Sequence, residues 1–172
     1  MIKTDLNPPI LLTPAQRSYL IAGIFLGMGL AGFFDGIILH QILQWHHMLT
    51  AVRPIRTLAD LQLNTLWDGF FHLLALALSG GGLGLLWRAT QQELHLNRSQ
   101  SLQLLGSTIL LGFGGFNLIE GLIDHQILGI HHVKSGPHQL FWDLSFLGIA
   151  ALCLLTGLLW LRHQFKSLSS PS

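Results

Sequence analysis

Long stretches free of lysine and arginine and rich in leucine, glycine and aromatic residues divide the chain into four: about Tyr19 to Met48, Leu63 to Trp87, Leu102 to Val133, and Gln139 to Leu161. Each exceeds the ~20 residues an α-helix needs to cross a bilayer, so the pattern predicts four transmembrane helices. Prolines such as Pro14, Pro54 and Pro137 stay outside these stretches, and no helix needs a proline kink. Glycines lie mostly within them. Gly23 with Gly27, Gly32 with Gly36, and Gly80 with Gly84 recur at the four-residue spacing that lets helices in lipid approach closely. The first stretch is too long for the apolar core of a secretion signal and reads as a retained helix. The whole chain, 1–172, is expected to form one integral-membrane domain.

Composition sharpens this picture. Half of the 172 residues are hydrophobic and 10% are charged, which excludes a disordered chain; a formal charge of +1 gives no electrostatic reason for a nucleic-acid partner. The lipid bilayer is the expected partner. Cys153 is the single cysteine, so no intrachain disulfide forms. Lys3, Arg17, Arg88, Arg98, Arg162 and Lys166 fall on one side of the four spans and Arg53, Arg56 and Lys134 on the other. That excess places both termini in the cytoplasm of an inner (cell) membrane protein.

A shift of 85 residues lays Asp35-Gly36-Ile37-Ile38-Leu39-His40-Gln41-Ile42-Leu43-Gln44-Trp45-His46-His47 on Glu120-Gly121-Leu122-Ile123-Asp124-His125-Gln126-Ile127-Leu128-Gly129-Ile130-His131-His132 without a gap. A shift of 75 lays Trp67-Asp68 on Trp142-Asp143. The chain thus reads as two copies of one helical hairpin, about 19–87 and 102–161. Two crossings per copy give both the same orientation, related by a pseudo-twofold axis along the membrane normal. The expected fold class is an all-α membrane protein, a four-transmembrane-helix bundle of two parallel-repeat hairpins.

The segments GFFDGIILHQILQWHHM, Gly32 to Met48, and EGLIDHQILGIHHV, Glu120 to Val133, resemble the signature of a family of small bacterial integral-membrane proteins catalogued only as a domain of unknown function. The resemblance covers nearly the whole chain. It implies a four-helix membrane fold and brings no activity with it.

Five of the eight acids, Asp35, Asp68, Glu120, Asp124 and Asp143, lie inside the predicted spans, where no lysine or arginine can pair with them. A charged carboxylate at mid-membrane costs roughly 2.5 to 3.5 kcal/mol on insertion scales, so five cost on the order of 12 to 17 kcal/mol by simple addition. Protons, histidinium or metal ions must offset this. Seven of the ten histidines, His40, His46, His47, His72, His125, His131 and His132, fall in the same layer. Imidazole with carboxylate suits transition metals, namely iron, copper, zinc or manganese, with more than one ion expected. The candidate ligands are these seven histidines and five acids, and Glu120 and Asp68 are the candidate proton-moving catalytic groups.

On regular helices Asp68 with His72, and Glu120 with Asp124, share a face and form the best chelating pairs. Asp35 and His40 diverge by roughly 140° and His40 and His47 stand about 10 Å apart, so one ion cannot take them all. A multinuclear site, supporting histidine–carboxylate bonds, or unwound helix ends would each resolve this. Counted along straight helices, His46, His47, His131 and His132 lie near the non-cytoplasmic surface and the acids deeper. Asp143, which lacks an i+4 histidine, is equally well read as a helix cap. Trp45, Trp67 and Trp142 read as interface anchors and Gln41 and Gln126 as supporting donors.

Three functions fit these residues: a metalloenzyme, either oxidoreductase or hydrolase, acting on a small apolar or lipid-like substrate near the extracytoplasmic face; a metal chaperone or transporter component delivering copper, iron or zinc to a metal-receiving protein; and a b-type cytochrome with His40 and His125 as axial ligands.

Overall fold

The structure, a computed structural model, describes residues 12–169; Lys3, used above for orientation, lies outside the described residues. Among the described residues there are four long helices and no strand: α1 (Pro14–Phe33), α2 (Leu58–Thr90), α3 (Arg98–Glu120) and α4 (Gln139–Ser169). All four are long and apolar enough to cross a membrane. Three starts are fixed by reciprocal capping boxes, Thr13 with Gln16, Thr57 with Asp60, and Asn97 with Gln100, and Pro14 occupies the first turn of α1, where its missing N–H costs nothing.

α1 and α3 run side by side through the middle of the molecule. Glycine sets their separation: a Cβ on Gly27 would strike the Ile109 carbonyl, and one on Gly112 the Ile24 carbonyl. α2 packs on α1, and α4 packs on α3 by the same device, with Gly114 against the backbone of Ala150 and Leu154. The helices leave large apolar side chains outward, including Leu73, Leu76, Leu83, Ile149, Leu152 and Leu155, as a surface in lipid requires.

Two departures from regular helix matter for everything below. α1 continues as a π-helix from Phe34 to Ile42, and α3 from Gly121 to Ile127. Both then stop, well before the expected ends at Met48 and Val133. Gln44 (φ 49°) and Gly129 (φ 57°), 85 residues apart, adopt the left-handed conformation and turn the chain back. His46, His47, His131 and His132 therefore stand on connections rather than helices, which corrects their placement along straight helices. Ala51 N–H donates to the Ile130 carbonyl (3.0 Å) and ties the two connections together. Asn64 of α2 braces the first: its amide oxygen accepts from Leu49 N–H (3.1 Å) and its NH2 donates to the Arg53 carbonyl (3.0 Å).

Candidate metal centre

Where α1 and α3 end and α2 and α4 begin, the chain buries Asp35, His40, His46, Asp68, Glu120, His125, His131 and Asp143, none more than 7% exposed. Burial of so many polar groups is tolerable only if each has a partner.

The π-helical segments assemble the innermost groups. Bonding from residue i to i+5 sets residues five apart on nearly one face, whereas α-helix would splay them. Asp35 and His40 are five apart, as are Glu120 and His125. Asp35 Oδ2 accordingly lies 3.1 Å from His40 Nε2, and Glu120 Oε1 lies 3.3 Å from His125 Nε2. The reversed connections fold the next histidines back over them: His46 Nε2 sits 3.7 Å from Asp35 Oδ1, and His131 Nε2 sits 3.0 Å from Glu120 Oε1. The rings of His46 and His131 stack at 4.8 Å with 6° between their planes.

Around this core a further layer fixes His40, His46 and His131 through Nδ1. His46 Nδ1 donates to the Val133 carbonyl (2.9 Å), and His131 Nδ1 to the Met48 carbonyl (3.2 Å), each reaching into the other half of the chain. Asp68 Oδ1 accepts from His40 Nδ1 (2.9 Å) and Met48 N–H (2.9 Å); its Oδ2 accepts from His47 Nδ1 (2.6 Å) and Gln41 Nε2 (3.2 Å). Asp143 answers with His132 Nδ1 (2.8 Å) and Val133 N–H (2.9 Å), and its Oδ1 lies 3.7 Å from His125 Nδ1.

For His40 and His46, donation from Nδ1 leaves Nε2 free to ligate. The Nε2 atoms of His40, His46 and His125 face carboxylate oxygens without a hydrogen-bond partner, and His125 Nδ1, both oxygens of Asp35 and Glu120 Oε2 have none either. A second proton on the ring or a cation between the two groups would join each such pair. Two groups have ligand atoms mutually close enough for one ion: Asp35, His40, His46 and His131, and Glu120, His125 and His131.

The other candidate residues stand elsewhere. Asp68 and His72 share a face of α2, but Asp68 is taken up by the donors above, while His72 turns its Nδ1 to the Asp68 backbone carbonyl (2.8 Å) and packs beside Gly36. The expected Asp68–His72 chelate does not form. Nor do Glu120 and Asp124 form a chelate: Glu120 turns Oε1 to His125 and His131, while Asp124 lines the cleft between α2 and α3. His47 and His132 belong to the outer layer through Asp68 and Asp143. The carbonyls of Met48 and Val133 are acceptors that sequence reasoning missed; the neighbouring His-His pairs were the signal, since a ligating imidazole needs an acceptor at its second nitrogen. Trp45 and Trp142 meet each other at 5.1 Å, with the Lys134 ammonium over both rings.

A porphyrin does not fit here. His46 and His131 lie between His40 and His125, with successive ring centroids 4.4, 4.8 and 4.7 Å apart, and no slot separates the two supposed axial ligands.

The chain belongs to the family described as predicted membrane protein (DUF2243), whose model matches residues 22–164, a span that contains the whole buried cluster. No curated protein and no solved structure matches the chain.

Proposed function

For a member of a family with no assigned activity, we propose a membrane-embedded oxidoreductase with a dinuclear transition-metal centre. One ion is held by Asp35, His40 and His46, the other by Glu120, His125 and His131, and the stacked His46–His131 pair separates the two. The observation that carries this reading is the set of buried Nε2 atoms facing carboxylates with no hydrogen bond between them. Two divalent cations against Asp35 and Glu120, with Asp68 and Asp143 beyond, remove most of the charge imbalance that the sequence presents.

Two imidazoles and one carboxylate per ion leave coordination positions open, the pattern favoured by iron and manganese that meet oxygen. Hydrolysis is less well supported, because it needs water delivered to the metal and this centre is sealed from solvent by aromatic and aliphatic side chains such as Phe71 and Phe146, which pack on His40 and His125. A transporter is disfavoured by the glycine seam, where α1 and α3 meet backbone to backbone and leave no room for an added side chain at Gly27 or Gly112. Asp68 serves here as a positioning residue and Glu120 as ligand and proton acceptor. The excess of basic residues on the opposite side, taken with the charge rule, puts the centre toward the extracytoplasmic face of the inner membrane with both termini in the cytoplasm.

Protein loaded with ferrous iron without oxygen is expected to bind two ions per chain and to be oxidised at both when oxygen is admitted. A chain that takes up one ion or none, or ions indifferent to oxygen and reductant, would overturn the proposal.

A further inference from the structure

α2 and α3 each pack on α1 but their backbones stay apart, and the cleft between them is an apolar cavity of about 320 Å³. Phe71 and Leu74 of α2 and Phe116 and Ile119 of α3 form its walls and Met28 of α1 its floor. Leu74 and Ile119 are half or more exposed on faces that lie within membrane-spanning helices, so the cleft opens sideways into lipid. Its inner end is polar. Glu120 lines it, and Glu120 Oε2, on a side chain more than nine-tenths buried, has no hydrogen-bond partner. Asp124, half-buried, stands beside it.

A second cleft supplies the comparison. Between the end of α1 and α4, Phe34, Ile38, Leu39, Phe146 and Ile149 line a cavity of about 280 Å³. These positions correspond to Ile119, Ile123, Asp124, Phe71 and Leu74 under the 85- and 75-residue shifts. The two clefts match in size and wall, yet the second has Leu39 where the first has Asp124, and Asp35, one methylene shorter than Glu120, does not line it. Of these two clefts, it is the α2–α3 one that joins lipid to a ligand of the buried centre.

We propose that the α2–α3 cleft admits a neutral, lipid-soluble molecule with a hydroxyl head group, which comes in from the bilayer head first and donates its O–H to Glu120 and Asp124 while its apolar tail stays between α2 and α3. Carboxylates accept and do not donate, so the head must carry a donor. With the ions of the dinuclear reading, on which this proposal rests, offsetting most of the carboxylate charge, a neutral hydroxyl meets this end without the cost of stripping water from an ammonium. Walls without another polar group fit an alkyl chain or aromatic ring.

The test uses purified full-length protein in phosphatidylcholine nanodiscs and a long-chain alcohol carrying a photoreactive diazirine. Labelling is expected on residues 70–74 and 116–124 and not on 145–149, with 1-dodecanol competing about tenfold better than dodecane or dodecylamine, the worth of one hydrogen bond to a charged acceptor. Leu74→Trp, which fills the cleft from a lipid-facing position, is expected to abolish the label. Its counterpart Ile149→Trp leaves it intact, and Asp124→Leu removes the preference for alcohol over alkane. Equal labelling of both clefts, or equal competition by dodecane, overturns the proposal as plain lipid adsorption. Metal content measured on the same samples separates the two readings: a chain with two ions and no label at this cleft contradicts the cleft alone, and a labelled chain without ions contradicts the centre.

Discussion

Asp68 and Asp143 do the most for the site without belonging to its innermost layer. Asp68 lies about three turns into α2 and Asp143 about one turn into α4; each is almost wholly buried and accepts from imidazole and from main-chain N–H. That arrangement settles which nitrogen of His40, His47 and His132 carries the proton, and so which nitrogen is left to ligate. In Asp68→Asn the amide presents an NH2 to donors that had met an anion, and His40 loses its fixed tautomer. Metal affinity is expected to fall roughly 10–100-fold with two ions still bound at saturation, the usual effect of losing a partner of a ligating histidine. Competition against a chelator of known affinity checks this; unaltered affinity would mean that His40 is oriented by packing on Phe71 alone. The residue types of the site were legible in the sequence, because five acids in apolar stretches without one basic partner stand out against composition. Their division into ligands and supports was not. Asp, Glu and His serve both roles, and only distances tell Asp35, facing unpartnered Nε2 atoms, from Asp68, facing N–H groups.

The π-helical segments and the reversals after them decide which residues meet. Composition carries no mark of π winding, so a 3.6-residue period separates Asp35 from His40, which the π-helical turn brings together. One signal was present. The acid-to-histidine spacing of five recurs in both halves, and five is the spacing an α-helix disfavours and a π-helix requires. Apolar length likewise located the four helices and overshot two ends, since Leu43, Trp45, Leu128 and Ile130 extend the apolar run beyond the backbone reversal. At that reversal the two halves differ: the left-handed position holds Gly129 in one and Gln44 in the other. A non-glycine residue there costs about 1–2 kcal/mol. Gln44→Gly is therefore expected to raise the midpoint of thermal unfolding in detergent by a few degrees with metal content unchanged, about the shift 1 kcal/mol gives a chain of this size. A lowered midpoint would show that the Gln44 side chain contributes more than its backbone conformation costs.

At the scale of the whole molecule, four helices provide little polar surface, and they gather what they have at one end of a glycine-sealed bundle. Matched contacts recur throughout: His46 to the Val133 carbonyl and His131 to the Met48 carbonyl, Asp68 to His47 and Asp143 to His132, Asp35 to His40 and Glu120 to His125. Two hairpins brought together in this way make a paired site that neither makes alone, because the stacked His46–His131 rings and the crossed carbonyl bonds lie on the seam between them. Of the departures from the match, Asp124 for Leu39 lines the α2–α3 cleft and His72 for Leu147 packs against Gly36. The central claim is that each half supplies the ligands of one ion. Elemental analysis of tag-free protein tests it most directly. Near two transition-metal ions per chain are expected in the unaltered protein and near one in Asp35→Ala and in Glu120→Ala, with the helical circular dichroism retained. A chain that holds no transition metal, or whose two variants both hold as much as the unaltered protein, contradicts the account.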